Sequence, residues 1–423
     1  MKVVVVEQDL VTALGVGVEA CWAGLISGKP AFSEVTRFST KAFAAHIAAF
    51  VPGLDEGKSE SLVMQMLVPL LTPLAGKLPH GTLVLLATTT GEVDLLQREL
   101  LQSQCGAINR MSHDGAPFAT DDTEVVPPKP VASDDTEVVP PNLGGSGSVP
   151  TSELGVDESR LNVLLARVQV LLGVTEPGRI ISAACASSSA AVAHGASLIA
   201  TGARDSVLVV ACDAVTEFIY AGFASLMALD PDGARPFDKA RKGLTVGEGA
   251  GFVWLMSEAR ARREARPRHG VVVGWGLSCD ANHMTGPSRD GAGLARAITQ
   301  ALNQAGGRPD GVGSLSAHGT GTSYNDSMEM KAFKSVFSDR PLPVYSVKGC
   351  MGHTMGLAGL AEMIMALKSM EVQLVPPSSN LHEVDPEAEG WVSAMPHKTT
   401  DMNTVLSTNS GFGGVNAALV LSL

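Results

Sequence analysis

Three side chains in this sequence have the types and settings for nucleophilic acyl chemistry. Cys185 stands in GRIISAACASSSAAVAHGASLI, where an apolar strand runs into a small-residue turn and an Ala/Ser helix. A cysteine at that junction lies near a helix N-terminus, whose unpaired amides stabilise a thiolate and can receive an oxyanion. The small neighbours let an acyl chain approach closely. The competing reading is an inert buried cysteine, which is common. His318 stands in SLSAHGTGTSYND and His353 in YSVKGCMGHTMGLAGLAEM, each after a short strand and among glycines that leave room for a ligand. Open α/β sheets place their chemistry at such strand ends. An isolated histidine is more often structural; two in matching contexts, with a strand-end cysteine, form a set.

Carbon–carbon bond formation explains that set. Cys185 takes an acyl group from a thioester, and loss of carbon dioxide from a malonyl thioester generates an enolate. Two imidazole N–H groups can hold the enolate oxygen while its carbon attacks the acyl-cysteine. No metal or organic cofactor is required. The polar run Thr320, Thr322, Asn325 and Asp326 can serve the second substrate or brace the loop. Lys348, five residues before His353, can tune the site electrostatically or hold a carboxylate such as Glu329.

The elements that must position these residues read as alternating strands and helices. Apolar strands are expected at Val3–Val6, Leu83–Ala87, Arg179–Ala184 and Ser206–Ala211, with helices at Val16–Ile26, 161–173 and 188–201. Buried, non-alternating strands separated by helices imply a parallel or mixed sheet covered on both faces. The second part repeats the layout. A strand and glycine turn fall in 271–286, and helices at Ser288–Ala305 and Leu357–Val372. Short strands follow at Ser314–Ala317 and Val344–Val347, and late ones at Thr404–Ser407 and Ala417–Leu421. Two related halves, 1–258 and 259–423, meet near an arginine-rich join. The stretch 112–150 interrupts the first half with DDTEVVPP written twice, and reads as a loose surface excursion.

Composition narrows the field. The chain has 423 residues, 45% apolar and 4% aromatic, enough for a large core packed with alanine and valine. A net charge of −12 argues against non-specific nucleic-acid binding. The six cysteines form no CxxC pair and suit neither a zinc site nor a disulfide framework; Cys21, Cys105 and Cys212 read as structural. The N-terminus carries too short an apolar run for a signal peptide, and no run is long enough to cross a bilayer, so the expected compartment is the cytoplasm.

The motifs together resemble the β-ketoacyl-[acyl-carrier-protein] synthases of the decarboxylating Cys-His-His type, within the thiolase-like superfamily. They are ACASSS, RPFDKARKGLTVGEGAG at 235–251, CDANHMT at 279–285, HGTGTSYND at 318–326, VKGCMGH at 347–353 and NSGFGGVN at 409–416, in family order. The resemblance implies a duplicated five-layer αβαβα fold and a dimer. It implies Cys185 as nucleophile, His318 and His353 as catalytic histidines, Lys348 as the conserved lysine and Glu329 as its paired glutamate. It places Thr320 and Thr322 near the pantetheine or malonyl group and makes Phe412 the gate of the acyl pocket. An acyl carrier protein would deliver the substrates. Its docking residues are expected either in the patch Arg235, Lys239, Arg241, Lys242 or in Arg260, Arg262, Arg263, Arg266, Arg268.

Three departures from the family pattern point to a polyketide, polyene or pigment pathway. Ser410 replaces a phenylalanine beside the gate, which suggests a roomier or more polar entrance. The segment before Cys185 is long, and the first turn reads TALG. The rivals are housekeeping fatty acid elongation, a non-catalytic chain-length partner subunit and a thiolase. A partner subunit typically lacks the nucleophile present here as Cys185. A thiolase needs a second cysteine near the C-terminus, and NSGFGGVNAALVLSL has none. Whether the dimer is formed with an identical chain or a homologous chain-length subunit stays open at this stage.

Overall fold

The strand segments Val3–Val6 and Leu83–Ala87 are apolar on both faces, and the two faces feed different cores. The computed structural model describes residues 1–98, 160–307, 309–338 and 340–423; the repeated DDTEVVPP segment and Cys105 lie outside them. In strand β1 (Val3–Thr12), Val3 and Val5 enter one core and Val4 and Val6 another. In β2 (Leu83–Ala87), Leu83, Leu85 and Ala87 face the first core, Val84 and Leu86 the second. Period-2 side chains on a sheet covered twice produce this sorting.

Ten strands form one hydrogen-bonded path. After β1 and β2 come β3 (Arg179–Ile181), β4 (Ser206–Asp213), β5 (Gly249–Ser257), β6 (Gly270–Cys279), β7 (Ser314–Ser316), β8 (Val344–Tyr345), β9 (Thr404–Gly411) and β10 (Val415–Ser422). The spatial order is β8-β7-β9-β10-β6-β1-β5-β4-β2-β3. Counted within each half, both halves run third, second, fourth, fifth, first. Both begin with two parallel pairings and finish with two antiparallel ones. The same topology twice is the mark of a duplicated unit. The halves meet where β1 pairs antiparallel with β6, from Val3↔Val272 to Val5↔Gly270.

Helices complete five layers. Helices α2 (Leu62–Leu71) and α3 (Leu161–Leu172) cover the outer face of the first half-sheet. Helices α6 (Ala292–Gln304) and α7 (Ser323–Phe337) cover the outer face of the second. Between the half-sheets lie α1 (Val18–Ser27), α4 (Ser187–Ala200) and α8 (Ala358–Val372) in one shared core. That central position explains the composition of α4: SSSAAVAHGASLIA presents mostly small groups because sheet and helix close on it together. Helix α5 (Glu217–Ser225) lies over the site, with N-cap Thr216 accepting from the Ile219 amide.

Several boundaries differ from expectation for local reasons. Strand β1 continues through Glu7, Gln8 and Asp9 because a register shift between Val5 and Glu7 lets the polar run pair with β5. Strand β3 stops at Ile181 instead of Ala184, since Ala184 takes φ 47° and turns the chain. Helix α6 starts at Ala292 because Ser288–Gly291 forms a turn, with Gly291 left-handed at φ 70°. The late strands are longer than their apolar cores and form a hairpin from Thr404 to Ser422, with Phe412 in its turn.

Candidate active site

The strand-to-helix junction is a strained elbow. Ala184, in the left-handed region, costs about 1–3 kcal/mol for a non-glycine residue. The strain delivers Cys185 to the mouth of α4, buried at 6% exposure. The hairpin turn comes in from the other half. A Cβ on Gly411 would lie 2.7 Å from the Ala183 carbonyl and 3.2 Å from the Cys185 amide, so only glycine permits this approach. The Phe412 and Cys185 amides both donate toward the Cys185 sulfur, a pair of backbone donors where a thioester oxyanion would form. Burial pushes the thiol up to about 11, against the pull of the Lys348 charge and the Phe412 amide. The resting group is a thiol.

Both histidines reach it. One ligand atom from each of Cys185, His318 and His353 lies within 4.8 Å of the others, and the two rings meet edge-on at 5.2 Å with 85° between planes. Their protonation follows from their neighbours. His353 Nδ1 accepts from the Met355 amide at 3.1 Å, and an amide can only donate. His318 Nδ1 faces the Lys348 ammonium at 3.2 Å and the Asn409 amide nitrogen at 3.3 Å, again donors. Burial first and the Lys348 charge second hold both imidazoles well below their ordinary pKa, so both are neutral. A neutral ring whose Nδ1 accepts carries its proton on Nε2. The site therefore offers two N–H donors. Cysteine and two histidines are also a zinc donor set by type, but rings with Nε2–H present hydrogens where a cation needs lone pairs.

The lysine is placed as expected and its partner is not. Lys348 is fully buried, and its ammonium donates to Glu362, to the His318 carbonyl at 2.5 Å and to His318 Nδ1. Its ion-pair partner is Glu362 on α8, which corrects the expected pairing with Glu329. Glu329 is turned to the backbone instead. It accepts from the His318 amide at 2.7 Å, the Gly319 amide at 2.6 Å and Asn325 at 2.9 Å, and its carboxyl is raised to about 8 by burial and by Asp326. Asp326 in turn accepts from the amides of Thr320, Gly321 and Phe237. The two acids hold the loop between β7 and α7 in shape. Glu362 and Asn409 were not singled out in the sequence. Asn409 links the cluster, donating to Glu362 at 2.6 Å and accepting from Ser189 of α4 at 2.5 Å. The signal for Glu362 was a lone acid in the otherwise apolar AGLAEMIMAL, a charge that burial forces to be paired.

A cavity of about 700 Å³ opens over these groups. Its floor holds Cys185, His318 and His353; Thr320 and Thr322, whose hydroxyls share a 2.8 Å hydrogen bond, stand on one wall with Asn325. Phe412 and Phe223 of α5 meet as tilted rings at 5.9 Å on another, and Phe223 reaches His353 at 6.3 Å. Ser410 also lines the cavity, but its hydroxyl donates to Asn416 at 2.7 Å, and Asn416 donates to Asp280 at 2.7 Å. The serine is thus a tie between the hairpin and the CDANHMT segment. At the rim, Lys242 and Arg289 are exposed, with Arg289 4.9 Å over the Tyr324 ring. Of the first basic patch, Arg241 is 7% exposed and bound to Asp385, while Lys239 pairs with Glu383 at 2.6 Å. Arg260, Arg262 and Arg266 of the second are paired with Glu264 or Glu258, and none of that patch lines the cavity.

Comparison with known proteins agrees with this geometry. The family models for the β-ketoacyl synthase N-terminal and C-terminal domains match residues 145–261 and 269–382. The 3-oxoacyl-[acyl-carrier-protein] synthase 2 of Vibrio harveyi is 34% identical over 286 residues, 65% of this chain and 68% of that protein. The tetracenomycin polyketide synthase ketoacyl synthase alpha subunit of Streptomyces glaucescens is 36% identical over 261 residues, 59% of this chain and 61% of that one. The solved structure of the ishigamide ketosynthase/chain length factor superposes with a TM-score of 0.81 at 29% identity, covering 100% of this chain and 98% of that one. With a Cys-His-His cluster on a duplicated five-layer fold, this chain belongs to the β-ketoacyl synthase family and is a condensing enzyme.

Proposed function

We propose that Cys185, His318, His353 and Lys348 carry out a decarboxylative Claisen condensation between an acyl group on Cys185 and a malonyl thioester. The observation that carries this assignment is that His318 Nδ1 and His353 Nδ1 both face donors, which leaves the proton of each neutral ring on Nε2, in a cluster where a nitrogen of each ring lies within 4.8 Å of the Cys185 sulfur. In the first half-reaction the Cys185 sulfur attacks the incoming thioester carbonyl, the Cys185 and Phe412 amides hold the oxyanion, and the departing thiolate takes up the proton lost from Cys185. In the second, carbon dioxide leaves the malonyl group and the electron pair of the broken bond forms an enolate. Its oxygen rests on the two Nε2–H donors. The enolate carbon attacks the acyl-cysteine carbonyl, and the thiolate of Cys185 departs and takes a proton from solvent. Thr320 and Thr322 hold the pantetheine or malonyl end, and Phe412 closes the acyl side.

The same reading takes an acyl carrier protein as the delivering partner, at the rim marked by Lys242 and Arg289. It takes a dimer as the working form, with a homologous chain-length subunit as the favoured companion, a suggestion that leans on the ketosynthase/chain length factor likeness. A specialised polyketide or polyene pathway fits that companion and the altered gate at Ser410. Housekeeping fatty acid elongation is the second reading, favoured by the Vibrio harveyi relative. We place the division of the chain at 258/259, between β5 and β6. Among the described residues no helix is long and apolar enough to cross a membrane, and the cytoplasm is the proposed compartment.

Purification from the native cell followed by intact mass tests all of this. The expected result is an acyl adduct on Cys185, absent in Cys185→Ala, with a homologous companion and an unsaturated or poly-β-keto chain. A saturated adduct on a lone subunit would defeat the specialised reading; condensation by Cys185→Ala would defeat the mechanism.

A further inference from the structure

A carboxylate that the reaction scheme leaves unused sits behind His353. Asp213 closes β4, fully buried, at the C-terminal ends of the first half-sheet. One oxygen accepts from the Thr88 hydroxyl at 2.8 Å and from the Thr89 and Thr90 amides at 3.1 Å. The other accepts from the Thr89 amide at 3.0 Å, the Thr89 hydroxyl at 2.8 Å and, across the molecule, the Gly356 amide at 2.7 Å. Backbone amides can only donate, and they reach both oxygens, so the arrangement suits the ionised carboxylate. Burial raises its carboxyl against those same donors.

The Gly356 contact is the informative one. Met355 takes a left-handed backbone, φ 53°, which turns two successive amides in different directions. The Met355 amide donates to His353 Nδ1 and so fixes the proton on Nε2; the next amide is the one Asp213 holds. The fit leaves no slack. A Cβ on Gly356 would lie 2.6 Å from the Asp213 carboxylate and 2.9 Å from Thr88 Cα, so this turn has been drawn onto the acid as closely as a glycine allows. The rest of the His353 backbone is held by the other motif of the first half: its amide donates to the Thr245 carbonyl at 2.7 Å, and its carbonyl accepts from Gly247 at 2.9 Å. The backbone is thus anchored twice by neutral groups, whereas the turn that sets the ring tautomer is anchored by a charge.

Resting on the function proposed above, we propose that Asp213 is a positioning residue. It holds the Met355–Gly356 turn so that His353 presents Nε2–H to the enolate oxygen. Through it, the end of the first half-sheet orients a histidine contributed by the second.

The test separates the two half-reactions in purified full-length protein. Asp213→Asn removes the charge and replaces one acceptor by an NH2 group, which must then face a backbone amide donor on whichever side it lies, so the joint grip on Thr89, Thr90 and Gly356 is broken. Gly356→Ala attacks the same contact from the other end. Malonyl-pantetheine decarboxylation should fall by about 10- to 100-fold in either variant, the scale on which partners that orient an imidazole act, while acylation of Cys185 by an acyl-pantetheine changes by less than about threefold. Nitrogen NMR of the imidazole rings should show His353 as the Nε2–H tautomer in the wild type and a mixture of tautomers in the variants. Asp213 also acts on the thiol, raising it through its charge, so the pH at which iodoacetamide modifies Cys185 should move down in Asp213→Asn. A folded variant that decarboxylates like wild type, or one that loses both half-reactions equally, overturns the proposal. So does an Nδ1–H tautomer of His353 in the wild type. If neither variant folds, Asp213 is a stability residue and the proposal falls. Failure of wild type to decarboxylate malonyl-pantetheine or malonyl-carrier protein would instead sink the function on which it rests.

Discussion

Replacing Lys348 with methionine separates what the buried ion pair does for stability from what it does for the reaction. The side chains of Lys348 and Glu362 are 1% and 0% exposed. Methionine keeps the packing of the stem but removes the ammonium, leaving Glu362 buried without its charge partner. Losing one member of a buried pair costs about 3–5 kcal/mol. Glu362 has an escape, because burial already raises its carboxyl to about 7 even with Lys348 pulling it down. Without the lysine its folded-state pKa rises further, so at neutral pH the group takes a proton when the chain folds. A raised carboxyl adds stability below its unfolded value and loses it as pH rises through the folded value. The deficit of Lys348→Met should therefore grow from acidic to alkaline pH, towards about 3 kcal/mol on the alkaline side. Adding Glu362→Gln should recover most of it, since glutamine still accepts from Asn409. Catalysis should not recover. Without Lys348, His318 Nδ1 keeps only the Asn409 donor at 3.3 Å, which weakens the hold on the Nε2–H tautomer, and the impaired enolate donor costs up to about 10²–10³-fold in decarboxylation. Urea unfolding at several pH values and release of carbon dioxide from malonyl-carrier protein measure the two effects. Near wild-type decarboxylation in the double variant, or a single variant as stable as wild type at alkaline pH, would refute the reasoning.

Other expectations follow from single contacts. Glu329 is raised from its ordinary value to about 8, so the folded chain binds a proton that the unfolded chain releases above about 4.5. Its contribution to stability is full below that point and lost as pH rises through about 8, and Glu329→Gln should flatten the stability profile across that window; an unchanged slope in urea titrations would contradict this. Alanine at His318 or His353 should cut decarboxylation by about 10²–10³-fold and Cys185 acylation far less, with equal losses in separate assays arguing against the division of labour. Reversing Lys242 and Arg289 to glutamate should weaken carrier binding, with the effect shrinking at high salt, and unchanged affinity by titration calorimetry would move the docking surface elsewhere. Ser410→Ala should untie the gate hairpin from Asn416 and broaden the acyl chains accepted, and an identical product spectrum by mass spectrometry would show that the tie is not selective.

What the sequence revealed and what it hid follow from how each signal is encoded. Strand-end chemistry was legible because it is local. Cys185, His318 and His353 each combine a reactive side chain with an apolar strand before it and small residues around it, and the fold brings all three within 4.8 Å. The duplication was legible for the same reason, although β5 and helices α2, α5 and α7 were missed as elements between stronger motifs. The Lys348 partner was not legible. Glu329 and Glu362 both stand on helices close in sequence to the catalytic loops, and only the path of the backbone decides which carboxylate meets the ammonium and which is consumed by amides. The proton positions on the two rings were hidden for a related reason: they depend on the Met355 amide and on Lys348, groups that gain meaning only once φ 53° at Met355 and the burial of Lys348 are known. The reactive atoms are thus written into motifs, whereas the electrostatics that makes two imidazoles donors and keeps a thiol protonated is a property of the packed central layer. Substitutions at Glu362, Asn409 or Asp213 should accordingly change the chemistry although none of them removes a catalytic side chain.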